Sequence, residues 1–135
     1  MSAARTLAPE ALRRWIERVL VARDLPDEDA ALAADALVDT SLRGVDTHGV
    51  ALLPGYVGLL EKGVTNPRPA VAIEPRGAFL RVDADRGLAQ VVVSRVLDRA
   101  IDMAREMGSV TAAIGQVGHL GALGWFARRA ADRGM

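Results

Sequence analysis

Residues 79–115 read FLRVDADRGLAQVVVSRVLDRAIDMAREMGSVTAAIG. A short β-prone run, Phe79 to Asp83, is followed by a turn and by a long segment of apolar residues at helical spacing, which Gly108 would cap. Val110 to Ile114 then reads as a second strand, and its apolar composition predicts that it is buried. Strands alternating with a helix predict an α/β fold with a small sheet.

The residues before this segment are predicted to form a helical layer. Pro9 suits a first helical position, Pro26 and the acidic residues after it begin a second helix that stops near Gly44, and a short turn precedes a third helix around Pro54. The first helix should bury one stripe of apolar residues, namely Leu12, Trp15, Ile16, Val19 and Leu20.

A proline-rich stretch separates this layer from the rest of the chain. Residues 64–70 predict a connector, because prolines remove backbone donors there. Val71 to Glu74 reads as a short strand before the Pro75-Arg76-Gly77 turn, and Leu123 to Ala131 reads as a last helix. We expect a single domain over 1–135, helical over 1–63 and α/β over 71–135.

Composition excludes several classes of function. Lysine plus arginine and aspartate plus glutamate number 17 each, so no net field favours nucleic acid or an anionic membrane as a partner. The absence of cysteine excludes disulfides and thiolate nucleophiles, and two histidines far apart argue against a metal site. No apolar run reaches membrane-spanning length, and Met1 to Thr6 lacks a signal-peptide core, so we expect a cytoplasmic protein.

The two histidines of the chain each lie among glycines. His48 belongs to Arg43-Gly44-Val45-Asp46-Thr47-His48-Gly49, and His119 lies between the predicted last strand and last helix. Imidazole titrates near neutrality and is suited to proton transfer at a boundary where the backbone can approach a small molecule. Both rings are therefore candidate acid/base groups.

The His48 segment has two interpretations. Asp46 or Thr47 caps a helix and the ring bonds locally, or the Thr47 hydroxyl orients or relays a proton to His48. In the second case Gly49 leaves room for a substrate and the Tyr56 hydroxyl points toward the same cleft. Tyr56 is equally explained as a core residue.

The His119 segment combines a strand, a glycine-containing turn and a helix start. Exposed backbone N–H groups at such a start favour a phosphate or carboxylate, whereas tight turns and close helix packing are the structural alternative. A neutral ring there would suit polarising a carbonyl. The spacing differs from the dinucleotide fingerprint, so no Rossmann site is predicted. Asp83 and Asp85 are interpreted as turn and capping residues. The glycines concerned are Gly115, Gly118, Gly121 and Gly124.

Several segments together resemble the amino-terminal part of the malate/L-lactate dehydrogenase family of non-Rossmann NAD(P)-dependent oxidoreductases. The resemblance covers most of Pro9 to Met135. It is carried by Leu42-Arg43-Gly44-Val45-Asp46-Thr47-His48-Gly49-Val50, Leu53-Pro54-Gly55-Tyr56-Val57, Asn66-Pro67, the turn from Asp83 to Gln90, and His119-Leu120-Gly121-Ala122.

The resemblance implies reversible hydride transfer between NAD or NADP and a 2-oxo acid or cyclic imine acid. The Ser-His pair of the family falls on Thr47 and His48, with the hydroxyl as relay and the imidazole as proton donor. Its second histidine falls on His119, and we add Tyr56 to the catalytic candidates. The backbone expected to contact the cofactor is that of His119, Leu120, Gly121, Ala122 and Leu123.

Two departures from the family pattern define the alternatives. The family arginine that pairs with the substrate carboxylate is replaced by Leu52, which therefore occupies a substrate-binding position. Family members are more than twice as long, which implies a homo-oligomer or a second chain that supplies the rest of the fold. One hypothesis is an oxidoreductase subunit acting on a small molecule. The other, which Leu52 favours, is a non-redox descendant that performs acid/base chemistry or acts as a regulatory or binding subunit.

Overall fold

The computed structural model describes residues 6–135, which form five α-helices and three strands. The prediction that Met1 to Thr6 lacks a signal-peptide core falls mostly on residues 1–5, which lie outside the described residues. The elements confirm the predicted order and the α/β class. The helices are α1 (Pro9–Val21), α2 (Asp27–Leu42), α3 (Leu53–Glu61), α4 (Ala89–Met107) and α5 (Leu123–Ala131), and the strands are β1 (Ala72–Arg76), β2 (Phe79–Asp83) and β3 (Thr111–Gly115).

The sheet has the order β1-β2-β3. β1 and β2 are antiparallel and joined by a tight turn in which Gly77 has φ +59°, and β3 runs parallel to β2 after the α4 crossover. The predicted end of the first strand at Glu74 is wrong, because the strand continues through Pro75 to Arg76. An edge strand tolerates proline, since its outer N–H positions need no partner.

Helix α4 contributes to all three apolar clusters, and α2 contributes to two of them. The first packs α1, α2 and α3 against the start of α4, and the second packs α4 against one face of the sheet. The third joins Trp125 and Phe126 of α5 to Ala36 of α2, with Val93 and Leu97 of α4 beside them. α4 therefore fixes the sheet, the helical layer and α5 relative to one another.

The predicted stripe of α1 is correct for its centre and wrong for Trp15. Ile16 and Leu20 are buried, whereas the Trp15 side chain is 48% exposed. Helical geometry places Ile16 and Leu20 one above the other, and Trp15 lies 100° away from Ile16 around the axis. The stripe predicted from apolar spacing alone was therefore wider than the stripe that is buried.

The prediction of a buried last strand is also wrong. In β3 only Ile114 is half-buried, and the other four residues are exposed. β3 pairs with β2 along one edge, and Ile114 packs into the cluster between the sheet and α4. Within residues 6–135 no strand pairs with the second edge of β3, and its alanines remain exposed.

The two aspartates of the turn after β2 have structural roles, as predicted. Asp83 Oδ1 accepts a hydrogen bond from the Asp85 backbone N–H at 2.9 Å. Asp85 Oδ2 accepts from Asn66 Nδ2 at 2.8 Å and from the Ala70 backbone N–H at 2.9 Å. These bonds tie the connector to the turn that leads into α4. Among the described residues, none of the helices has the length and apolar character needed to cross a bilayer.

Candidate active site

The loop that carries His48 runs closely along α2. It consists of two 3-10 turns, Asp46–His48 and Val50–Leu52, with Gly49 between them. A Cβ on Gly49 would collide with the Ser41 side chain and lie 2.9 Å from the Ser41 backbone nitrogen. The interpretation that Gly49 leaves room for a substrate is therefore wrong, since the space beside it is filled by α2.

The Thr47 hydroxyl and the His48 ring are both exposed and in contact. Thr47 Oγ1 lies 3.0 Å from His48 Nδ1, the distance of a hydrogen bond. The alternative in which Asp46 or Thr47 caps the third helix is wrong, because Leu52 is the N-cap of α3 and no side chain caps it. The hydrogen bond itself fits both a ring that bonds locally and a hydroxyl that relays a proton, so the relay stays a prediction.

The loop between β3 and α5 brings His119 to His48. The centroids of the two imidazole rings lie 5.8 Å apart, with an angle of 32° between their planes. The Tyr56 hydroxyl, from α3, lies 3.1 Å from His119 Nδ1. Tyr56 is also 5% exposed and belongs to the helical cluster, so its ring is a core residue while its hydroxyl reaches the histidine.

The hydrogen bonds of His119 define its tautomer. The Gly121 backbone N–H donates to His119 Nδ1 at 3.3 Å, and an amide N–H can only donate. Nδ1 of the neutral ring is therefore an acceptor, the Tyr56 hydroxyl donates to it, and the ring proton lies on Nε2. His119 thus offers an N–H group on the side of the ring away from Tyr56.

Gln90, in the first turn of α4, continues this chain of hydrogen bonds and was not predicted from the sequence. Its Nε2 donates to the Tyr56 hydroxyl oxygen at 2.8 Å, and the residue is 3% exposed. Burial raises the pKa of Tyr56 above its usual value, and the Gln90 hydrogen bond opposes that shift. The hydroxyl therefore keeps its proton at neutral pH. A polar residue within an apolar helical stripe was the available signal.

A cleft of about 440 Å³ lies beside His48 and contains part of the predicted cofactor-binding segment. Arg43, a second residue that sequence reasoning missed, lines it with half of its side chain exposed, and its Nε donates to Asp39 Oδ2 at 3.0 Å. The lining residues are Asp39, Thr40, Arg43, Val45, His48, Gly121, Ala122, Leu123, Gly124 and Trp125.

Leu120 and Leu52 do not line this cleft. Leu120 lines a smaller cavity next to the cleft, together with His48 and Gln90. Leu52 is half-buried, packs against the helical cluster and is absent from the linings of both spaces. The structure therefore brings together every predicted site residue except Leu52.

The α5 N-terminus forms one wall of the cleft. Ala122 is the N-cap residue, and no side chain satisfies the first N–H groups of the helix. Such N–H groups favour a phosphate or a carbonyl oxygen. No set of three or more potential metal-ligating side chains lies together within residues 6–135.

Comparison with known proteins identifies the family of the chain. The family model described as malate/L-lactate dehydrogenase matches residues 7–135. The chain belongs to this family. The dehydrogenase fold of the chain also superposes on the solved structure of malate dehydrogenase from Pyrococcus horikoshii OT3 with a TM-score of 0.94 and 36% identity, covering 97% of this chain and 38% of that one.

Two curated members of the malate/L-lactate dehydrogenase family show the range of its activities. The (2R)-3-sulfolactate dehydrogenase (NADP(+)) of Chromohalobacter salexigens is 36% identical over 86% of this chain and 35% of its own length. The ureidoglycolate dehydrogenase (NAD(+)) of Escherichia coli K12 is 32% identical over 96% of this chain and 37% of its own length. The chain thus spans little more than a third of these relatives.

Proposed function

We propose that this chain supplies the proton-transfer part of an NAD(P)-dependent oxidoreductase that acts on a small 2-oxo or 2-hydroxy acid or a cyclic imine acid. The observation that carries the proposal is the 5.8 Å approach of the His48 and His119 rings beside a cleft. Family membership supports an oxidoreductase in general terms.

In this proposal His48 is the proton donor in the direction of reduction. Its ring is exposed to the cleft, and the Thr47 hydroxyl at 3.0 Å orients the ring and relays a replacement proton to it. His119, held by Tyr56 and Gly121, offers its Nε2–H group as a fixed donor to a carbonyl oxygen. These residues handle the proton, and a bound nicotinamide would supply or accept the hydride.

The segment from His119 to Leu123 can contact only one end of an NAD or NADP molecule. Gly121 has φ +71°, and a Cβ there would lie 2.9 Å from Gln90 Nε2, so both the backbone conformation and the packing against Gln90 require glycine in this segment. We propose that His119, Leu120, Gly121, Ala122 and Leu123 contact the cofactor. A cleft of about 440 Å³ has the size of a site for one small molecule, and a whole dinucleotide needs further surface.

The exposed edge of β3 supports a second polypeptide, or a second copy of this chain, as the source of that surface. β3 has an unpaired edge within the described residues, and a groove of about 630 Å³ runs over the uncovered face of the sheet. Unpaired strand edges are templates for further strands. We propose that the remaining part of the family fold pairs along β3 and covers this face.

Substrate recognition separates the two candidate functions. Leu52 offers no charge and packs away from the cleft, which favours the non-redox candidate, an acid/base enzyme or a regulatory subunit. Arg43 lines the cleft with His48 and presents a cation there, which favours carboxylate recognition at a different residue. We therefore assign the carboxylate to Arg43, and substrate binding by Leu52 stays a prediction.

Cofactor titration tests the proposal. The chain is titrated with NADH and with NADPH by fluorescence, first alone and then after co-purification with the products of neighbouring genes. Binding that requires a partner chain, together with oxidation of NADH or NADPH by a 2-oxo acid, is the expected result. Failure of every pairing to bind either nucleotide would reject the redox function and leave the acid/base candidate.

A further inference from the structure

A small cavity lies between α2, α4 and the start of α5, next to the cleft. The centre of a water molecule has about 10 Å³ available to it there, which gives room for a single water. Two of the side chains around it are almost fully buried, Gln90 at 3% and Trp125 at 7% exposed. The lining consists of Ala36, Leu37, Thr40, His48, Gln90, Leu120, Ala122 and Trp125.

Each of these two buried side chains has one polar atom with no hydrogen-bond partner among residues 6–135. Gln90 Oε1 is an acceptor, and Trp125 Nε1 carries a donor N–H. A buried donor or acceptor that has left water without gaining a partner is costly, so native proteins rarely keep one. A water that accepts from the indole and donates to the amide oxygen satisfies both atoms.

We propose that one buried water bridges Trp125 Nε1 and Gln90 Oε1 and thereby fixes the orientation of the Gln90 amide. In that orientation the amide nitrogen faces Tyr56 and donates to its hydroxyl oxygen, which leaves the hydroxyl proton for His119 Nδ1. Gln90 and Trp125 are positioning residues that act on His119 through Tyr56.

The opposite orientation of the amide breaks this chain of donors. Gln90 Oε1 would then accept the Tyr56 hydroxyl proton, and His119 Nδ1 would lose its donor on that side. The bridging water would then accept from both the indole N–H and the amide N–H, and neither of its own protons would have Gln90 Oε1 as an acceptor. The consequence for catalysis rests on the proposed function, whereas the water and the tautomer are properties of the chain alone.

The water is tested in the wild-type chain by NMR. In ¹⁵N-labelled protein we expect NOE and ROE cross-peaks of opposite sign between water and the Trp125 indole N–H, which indicate a water that stays longer than the molecule tumbles. The exposed indole of Trp15 is the internal comparison and should show no such pair. An indole of Trp125 without a long-lived water overturns the proposal.

The positioning role is tested by the ¹⁵N shifts of the histidine rings. The chain has two histidines, so His48→Gln assigns both sets of signals. We expect His119 of the wild type to be the Nε2–H tautomer. Trp125→Phe keeps an aromatic ring but removes the indole N–H, so the His119 Nδ1 signal should move upfield and the Nε2 signal downfield as the tautomers mix.

Trp15→Phe is the matched control and should leave the His119 signals unchanged. The positioning role is overturned if the wild type carries its proton on Nδ1, or if folded Trp125→Phe keeps the wild-type shifts. Because neither measurement needs cofactor or turnover, a failure here is distinguishable from a failure of the redox function. The wild-type measurements stand even if Trp125→Phe does not fold.

Discussion

The two histidines differ in how the protein holds them. Among the described residues the His48 side chain forms one hydrogen bond, with the Thr47 hydroxyl, and its ring is exposed to the cleft. His119 has two hydrogen-bond partners at its Nδ1 atom, the Tyr56 hydroxyl and the Gly121 backbone N–H. A loosely held ring that faces solvent can exchange its proton, whereas a fixed ring presents one N–H in a constant direction. This difference underlies the separate roles proposed for them.

Replacing His48 separates proton transfer from cofactor binding. His48→Ala should abolish turnover in the assembled enzyme and leave NADH or NADPH affinity nearly unchanged, because the proposed cofactor contacts lie on residues 119–123. Turnover is followed by nucleotide absorbance and affinity by fluorescence. Thr47→Ser keeps the hydroxyl and serves as the control that retains activity. Weakened affinity with normal turnover at saturating cofactor would reverse the assignment.

Gly49 is required by packing. Gly49→Ala should destabilise the chain by about 2 kcal/mol, because the added Cβ collides with Ser41 on α2. Gly55→Ala is the matched control, since no atom lies within 4 Å of its added Cβ and it stands inside α3. There alanine should stabilise by about 0.5 kcal/mol. Urea denaturation measures both, and equal effects at the two positions would contradict this role for Gly49.

Ion pairs connect α4 to its neighbouring helices. Asp29, in the first turn of α2, is buried and pairs with Arg95 of α4. Asp98 on the same helix contacts Arg129 and Arg133 near the end of α5. Burial raises the pKa of Asp29 above its usual value, and the Arg95 guanidinium opposes this shift without cancelling it. The α2–α4 contact therefore depends on pH.

The sign of that dependence follows from the raised pKa of Asp29. The folded state holds the Asp29 proton to higher pH than the unfolded state, so the free energy of unfolding falls as pH rises from the ordinary value toward the folded pKa. Asp29→Asn removes this falling contribution, so between the two pKa values the free energy of unfolding should rise more steeply, or fall less steeply, with pH than in the wild type. Urea denaturation at a series of acidic pH values measures the slope, and an identical slope in both proteins would contradict the prediction.

The molecule as a whole is open on one side. Two of its three clusters are closed by helices, whereas the sheet is covered by α4 on one face only. The uncovered face and the β3 edge adjoin one another, and the chain spans little more than a third of its curated relatives. An apolar strand with an unpaired edge is a surface along which further polypeptide can pair.

A charge on this surface should weaken assembly while the isolated chain stays folded. Ala113→Glu in β3 places a carboxylate opposite Arg81, its exposed neighbour on β2, so the monomer gains a favourable pair. The dissociation constant of the complex between the Ala113→Glu variant and a partner chain should rise about tenfold. This corresponds to a loss of about 1.4 kcal/mol of binding free energy. Titration calorimetry measures this, with Ala131→Glu, at an exposed position of α5, as the control. Unchanged affinity would remove β3 from the interface.

The element order, the α/β class and the two histidine segments could be predicted from the amino-acid sequence. Apolar spacing, prolines at helix starts and Gly108 at the end of α4 act through residues a few positions away, so their effects are visible locally. The family resemblance rested on the same local segments. The local pattern was ambiguous at two places. It did not define how wide the buried stripe of α1 is at Trp15, or that β1 continues through Pro75.

Only the tertiary structure brought Tyr56 and His119 into contact, placed Gln90 behind them, filled the space beside Gly49 and left β3 exposed. Each of these features depends on atoms from elements far apart in the chain. A hydrogen bond or a collision is set by distances of a few tenths of an ångström, which residue spacing does not encode. Local chemistry therefore selected the candidate groups, and packing determined which of them meet.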